Sequence, residues 1–326
     1  MFHVRPIAEG ELSLFAAVDG TDGRGLAETT DARWQRGASR PGWCFVLEAA
    51  GRPIARVGYD VSPTVPDPSL LGRLPASELS LFGLHLPWEG PWLAAGQELI
   101  GTSLAGIAHE LPDRLDVRTN REVDAHPERR RALFDVLGME LFQEKEGYLW
   151  EDTGQTIVPP ARLRFRSLEQ IGEAAFVQVF GAVVEGTLDR NDRWYWDRTG
   201  PNRWARVMLG YLGAGDDATW CVGYDSEGGP VGMIAVSAFD EADTATITFV
   251  GVLPGQRGKG YIDELLAAGN AAARTRGFGS ILSDVDTENH PMRAAMERAG
   301  HHPGRRPWHI WHHRAAVARL AAGRSV

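Results

Sequence analysis

Two stretches of the chain, WCFVLEAAGRP from Trp43 and WCVGYDSEGGP from Trp220, align without a gap. Gly51 falls opposite Gly228, Pro53 opposite Pro230, and Ile54 and Val57 opposite Val231 and Ile234. Each copy reads as an apolar strand, a polar Gly-containing turn and a second strand rich in Val, Ile and Ala, which is a hairpin pattern. A repeat at this scale restricts the fold more than any local propensity does, because both copies must reach the same architecture.

The repeat extends in both directions. HVRPI at the start resembles RFRSL from Arg164, and Leu86-Pro87 resembles Leu253-Pro254. DVRTN from Asp116 resembles DVDTEN from Asp284, and His126-Pro127 resembles His290-Pro291. The order expected in each copy is strand, helices, three strands, helix, strand, helix and a closing strand. At 326 residues the chain has room for two domains. The Pro159-Pro160 pair after Val158 suggests the join. We therefore expect an α/β fold, mixed sheets with flanking helices, in two related domains at 1–157 and 158–326.

The totals narrow the function. Hydrophobic residues make up 43% and charged residues 24%, ordinary for a soluble globular chain. A net charge of −9 argues against a nucleic-acid polyanion as partner and suits a cationic or neutral small molecule. Neither the start of the sequence nor any later run reads as a signal peptide or membrane helix. Cys44 and Cys221, each directly after a Trp, read as core residues of strands, in keeping with a reducing cytoplasm. Lys145 and Lys259 are the chain's two lysines among many arginines.

The copies diverge after the shared Leu-Pro. In the second, Gly255, Gly258 and Gly260 precede an amphipathic helix. Glycines there let the backbone turn tightly and present successive amides at a helix start, an anion cradle to which Arg257 and Lys259 add charge. The first copy has WEGPWLAAGQ at this place, where Pro91 lacks an N–H and Trp88 and Trp92 fill the space. Gly251 splits the strand entering the second loop and suggests a bulge or a close approach.

This arrangement resembles the GNAT superfamily of acyl-CoA-dependent N-acyltransferases, and the whole chain resembles its tandem members, with a degenerate first copy and a functional second one. The resemblance rests on Val250-Gly251-Val252-Leu253-Pro254 as the splayed strand, on Gln256-Arg257-Gly258-Lys259-Gly260 as the diphosphate loop, and on Asn289. It implies acetyl-CoA or another acyl-CoA as co-substrate, with no metal. The backbone of Val250 and Val252 would hold the pantetheine arm as an added strand does. Amides from Arg257 through Gly258, Lys259 and Gly260 to Tyr261 would hold the diphosphate, and Asn289 would position the pantetheine. The Val252 amide would meet the oxyanion. The chain departs from the family at Ile262, where the loop usually ends in Gly or Ala, and at Met296, where many members carry a Tyr acting as acid toward the leaving thiolate.

Acyl transfer to an amine needs a group that takes the ammonium proton. Asp284 is the candidate base, on the strand face opposite Ser283 and Val285. Asp116 at the same place in the first copy argues for a structural role instead. Asp286 and Glu288 are further candidates for the base or else caps of the next helix, and Glu185, Asp189 and Asp192 read as a solvated face. Trp194, Tyr195, Trp196 and Trp204 fit either the lining of an acceptor pocket or packing between the halves. His309, His312 and His313, after Trp308, read as a closing strand rather than a metal site. The expected function is transfer of an acyl group from CoA to a small-molecule amine, by a monomer or homodimer, with the acceptor cleft shared by both halves. The alternatives are a non-catalytic acyl-CoA-binding protein and an enzyme that uses a longer acyl chain.

Overall fold

A computed structural model describes residues 1–61, 79–110, 114–212, 219–239, 243–304 and 309–322. The first copy runs β1 (Phe2–Pro6), α1 (Leu12–Ala16), α2 (Arg24–Gln35), β2 (Cys44–Ala49), β3 (Arg52–Val61), β4 (Leu79–His85), α3 (Trp92–Ile107), β5 (Arg114–Asn120), α4 (Pro127–Val136) and β6 (Glu140–Glu151). The second runs β7 (Arg164–Ser167), α5 (Leu168–Ile171), α6 (Glu173–Val183), α7 (Arg190–Thr199), α8 (Pro201–Leu212), β8 (Trp220–Tyr224), β9 (Pro230–Ala238), β10 (Thr244–Val252), α9 (Tyr261–Thr275), β11 (Ser280–Asp286), α10 (His290–Arg298), β12 (His302–Pro303), β13 (Ile310–Ala316) and α11 (Val317–Ala322). The order is the one expected from the repeat, and the class is mixed α/β. Among the described residues no helix is long and apolar enough to cross a membrane.

The matched hairpins form as read. β2 and β3 pair across Ala50 and Gly51, both at positive φ, and β8 and β9 pair across a turn in which Asp225 accepts the amides of Glu227 and Gly229, with Gly228 at φ 81. Cys44 is buried and Cys221 is partly buried, and burial pushes both thiols up to about 11.

Two compact units form. One comprises the described residues of Met1–Thr64, Ala76–Phe142 and Trp311–Val326, the other those of Gln143–Ile310. The division departs from the 157/158 boundary that the Pro pair suggested, and strand pairing is the reason. β6, which closes the first copy, pairs antiparallel with β11 from Lys145↔Asp286 to Glu151↔Ser280 and so belongs to the second unit. β13, which closes the second copy, lies beside β5 in the first unit. The first unit's sheet runs β1-β2-β3-β4-β5-β13, and the second unit's runs β6-β11-β10-β9-β8-β7.

In the first unit α3 buries Leu99, Ile100 and Leu104 against Leu47, Val57 and Tyr59 of the sheet. In the second, α6 and α8 cover one face through Phe176, Phe180 and Trp204, with Trp220 and Met233 beneath them. α9 and α10 cover the other face through Leu266, Ala273 and Met296, against Ile234, Val236 and Val285. Helices on both faces leave a parallel strand pair buried wherever it is paired and accessible only where it opens.

Candidate active site

β10 and β11 are the parallel neighbours of the second unit, and they pair only at Thr244↔Ser280, Ala245↔Ile281 and Thr246↔Leu282. Beyond that point they diverge, and a cavity of about 630 Å³ opens between Ile247–Val252 on one side and Ser283–Asp286 on the other. A register shift against β9 between Ile247 and Phe249 bends β10 away, with Thr248 Oγ1 bonded to the Ala235 carbonyl at 3.1 Å. The bulge therefore sits at Thr248 and not at Gly251, which pairs normally with Met233. Gly251 answers to close approach: a Cβ there would come within 3.2 Å of Val183.

The amide of Leu253 donates to Val231 at 2.9 Å. By antiparallel alternation Leu253 and Gly251 turn their polar groups toward β9, while Val250 and Val252 turn theirs into the fork. The Val252 carbonyl takes Nε of Arg257 at 3.1 Å. The remaining groups at Val250, with the Val252 N–H, form a sheet edge next to the cavity.

Past Val252 the chain makes a short 3₁₀ turn over Pro254–Gln256 and enters α9 through Gly258 and Gly260, at φ 77 and 76. Gly260 is the N-cap in the left-handed region, and no side chain caps the helix. The acids of the first turn are held elsewhere: Asp263 by Arg298 at 2.7 Å, and Glu264 by Arg162 at 2.5 Å. Among the described residues the amides of Gly258, Lys259, Gly260 and Tyr261 make no hydrogen bond to the protein, so an anion at this helix start meets unpaired donors and the positive end of the dipole. Among the described residues Lys259 Nζ donates to the neutral Gln256 side chain, at 2.8 Å.

Arg257 differs from its expected part. Its amide bonds to Pro254, and its guanidinium donates to the carbonyls of Val183 at 2.9 Å, Glu185 at 2.7 Å and Gly186 at 3.3 Å. It straps the α6–α7 connection to the loop rather than offering charge to a ligand. Tyr261 lies under the Arg162 guanidinium at 4.4 Å. Ile262 lines the cavity and packs on the α9 core. Asn289 caps α10, its Oδ1 accepting Met292 N at 3.3 Å, which leaves its NH₂ group for the cavity it lines.

Acidic residues gather at the fork. Lys145 Nζ, on β6, lies 2.7 Å from Asp284 Oδ1 and 3.4 Å from Asp189 Oδ2, and Asp192 lines the same wall. Asp189 N-caps α7 through the amides of Asn191 and Asp192, which brings Asp192 round to the site. Burial, with the charge of Asp189 beside it, pushes the Asp192 carboxyl well above the usual carboxylate range. Burial alone would lower the Lys145 ammonium, but Asp189, Asp284 and Asp192 outweigh it and hold it above its ordinary value. Asp189 and Asp192 are thus parts of the cavity and not a solvated face. Asp286 is structural: it accepts Gln143 Nε2 at 2.9 Å, the Arg190 amide at 3.1 Å and the Glu288 amide at 3.0 Å. Lys145 escaped the sequence reading because nothing local links β6 to β11. Its rarity in an arginine-rich chain was the one available signal.

The residues described as lining this cavity include none of the tryptophan-rich segment. Trp204 is buried against Phe180, Trp196 Nε1 donates to the Gly181 carbonyl at 2.8 Å, and Trp194 stacks on Arg198 at 3.9 Å, all within the second unit. His309 pairs with Glu144 at 2.5 Å, whereas His312 and His313 are buried in β13. Trp308 lies outside the described residues. Among the described residues no cluster of three or more His, Cys, Asp and Glu could hold a metal.

The first unit has the same fork, since β4 and β5 pair only at Leu79↔Leu115 and Ser80↔Asp116. Its opening is occupied by its own side chains. Trp88 packs on Trp92 at 6.3 Å and on His126 at 5.0 Å, and Pro91 stands at the helix start. Arg130 donates to the Leu84 carbonyl at 3.0 Å, and Arg129 donates to that of Trp88. Arginine thus satisfies the backbone groups that a splayed strand exposes.

Residues 187–301 match the model of the Acetyltransferase (GNAT) family. A search of curated proteins returns no match. Among solved structures the chain is similar to a GCN5-related N-acetyltransferase from Sphaerobacter thermophilus, at 18% identity and a TM-score of 0.59 over 97% of this chain and 96% of that one. It is also similar to a tandem GNAT protein from the clavulanic acid biosynthesis pathway, at 13% identity and a TM-score of 0.52 over 97% and 99%. A third likeness, at 14% identity and a TM-score of 0.58, is to the glucosamine N-acetyltransferase region of a fungal GH3 β-N-acetylglucosaminidase, over 96% of this chain and 38% of that one. Residues 187–301 thus carry a GNAT acetyltransferase domain, and along its length the chain shares the fold of GNAT structures that include a tandem one.

Proposed function

We propose that the second unit binds acetyl-CoA in the β10–β11 fork and transfers its acetyl group to the amine of a small molecule. The GNAT match over residues 187–301 supports acyl-CoA-dependent acyl transfer. One observation carries the placement of the cofactor: the fork opens directly onto the unpaired amides of Gly258–Tyr261, so one elongated ligand with an amide-bearing arm and a diphosphate end can satisfy both. Acetyl-CoA supplies an activated thioester. Val250 and the Val252 N–H hold the arm as an added strand, the Asn289 NH₂ fixes its position, and the loop amides with Lys259 hold the diphosphate. The Val252 amide is available to donate to the carbonyl oxygen as it gains charge.

The acidic wall supports a cationic acceptor. Three carboxyl groups face one lysine, so the wall attracts an ammonium, and Asp284 and Asp192 are placed to take its proton. A non-catalytic acyl-CoA-binding role is the second reading, favoured by Met296, buried and apolar where a proton donor is expected. Thiol release should be followed with acetyl-CoA and longer acyl-CoAs across mono- and diamines. Turnover with amines and none with alcohols or acids supports the proposal. Tight CoA binding without release on any acceptor defeats it in favour of the second reading.

A further inference from the structure

Ser283 is buried, its Oγ has no hydrogen-bond partner among the described residues, and it lines the cavity. Buried hydroxyls without partners are uncommon, because losing water without a replacement bond is costly. The last paired residues of the fork are Thr246 and Leu282, so Ser283 is the first β11 residue past its apex. The anion loop lies at the opposite, open end. A chain entering from that loop travels along β10 from Val252 back to Ile247, roughly 16 Å at strand rise, before the closed fork stops it. Its far end then lies beside Ser283.

Alternation puts Ser283 on the face opposite Asp284 and its lysine, together with Val285, which packs with Met296. In the first unit the matching residue is Leu115, fully buried in the core, so the strand needs no hydroxyl here in order to form.

We infer that Ser283 Oγ donates a hydrogen bond to the CoA sulfur and supplies, from the strand, the hydroxyl that Met296 withholds from the helix. The inference rests on the acetyl-CoA reading above. In the step it serves, the amine loses a proton to the Asp284–Asp192 pair and its nitrogen forms the C–N bond. The C–S bond then breaks with its electron pair going to sulfur. Ser283 keeps its proton and solvates the thiolate. The nitrogen's second proton leaves through the carboxylates to solvent, and sulfur takes a proton from solvent as CoA departs.

The test compares CoA with desulfo-CoA by calorimetry on the full chain and on Ser283→Ala and Ser283→Thr, and follows the ultraviolet absorbance of the bound thiolate against pH. In the wild-type protein the bound thiol should ionise about one pH unit below free CoA. Ser283→Ala should bind CoA about tenfold more weakly above that pH and desulfo-CoA unchanged, and Ser283→Thr should recover the loss. Equal losses for both ligands, or a wild-type thiol that titrates as free CoA does, overturns the assignment while leaving acetyl-CoA binding intact. Failure of the wild-type chain to bind either ligand overturns the acetyl-CoA reading and this inference with it. The thiol titration needs no variant and so decides the matter even if Ser283→Ala does not fold.

Discussion

Lys145 Nζ stands 2.7 Å from Asp284 Oδ1 in the second unit, as Arg314 Nε stands 2.5 Å from Asp116 Oδ2 in the first. Both pairs join equivalent strands to the strand that closes the sheet, but their surroundings differ. Asp116 and Arg314 are almost wholly buried, whereas Asp284 keeps 30% of its side chain exposed in a cavity where Asp189 and Asp192 share its lysine. The equivalent ion pair is structural in one unit, and on our proposal serves the chemistry in the other.

Asp284→Asn should lower turnover by about 10²-fold or more with little change in CoA affinity, since it removes a proton acceptor and no part of the diphosphate loop. Steady-state kinetics beside calorimetry checks this, and retained turnover removes Asp284 from the mechanism. Lys145→Gln, by leaving the three carboxyl groups without their cation, should cost about 2 kcal/mol of stability in urea unfolding, toward the low side for a buried pair because the site is partly solvated.

The raised Asp192 carboxyl sets the acid side of the pH profile. Below its pKa it is protonated and accepts no proton, so kcat/KM should rise with pH through a limb displaced upward from the usual carboxylate range. In Asp192→Asn that limb should vanish or fall to the ordinary range. An unchanged limb would assign it to another group.

Gly260 sits at φ 76, which proline cannot adopt, and proline would also delete one of the free amides. Gly260→Pro should therefore weaken CoA binding by at least tenfold. Gly90→Ala, at the plugged counterpart, should leave CoA binding unchanged. Equal losses at both positions would mean that the first unit also holds CoA.

Two buried imidazoles predict acid sensitivity. Burial lowers His301 to about 3 and His313 to about 4, so both are neutral in the folded chain at pH 5, while their unfolded forms bind protons below about 6.5. A depressed folded-state value makes stability fall as pH drops from about 6.5 toward those values. Each histidine should cost about 2 kcal/mol between pH 7 and pH 5. Chemical denaturation at the two pH values should show this difference shrinking by about that amount in His301→Asn and in His313→Phe.

What was legible followed from local physics. Hairpin turns, glycines at a helix start and a proline where an amide is needed are properties of a few adjacent residues, which is why the sequence predicted the element order, the loop over Gly258–Gly260 and the plug at Trp88 and Trp92. The tryptophan segment was misread because amphipathic aromatic residues suit a pocket wall and a core equally well, and only packing against Phe180 decides between them. Arg257 was misread for a related reason: its charge is plain in the sequence, while the carbonyls that absorb it come from the end of a distant helix.

By itself, then, the sequence determined a duplicated mixed α/β chain with a glycine-rich helix start in its second copy, because backbone conformation and strand or helix periodicity are set by neighbouring residues. The tertiary structure decided which strand closes each sheet. With that it decided that Lys145 meets Asp284 and Asp189, and that Ser283 faces the apex of the fork, since strand pairing joins residues whose separation along the chain leaves no local trace.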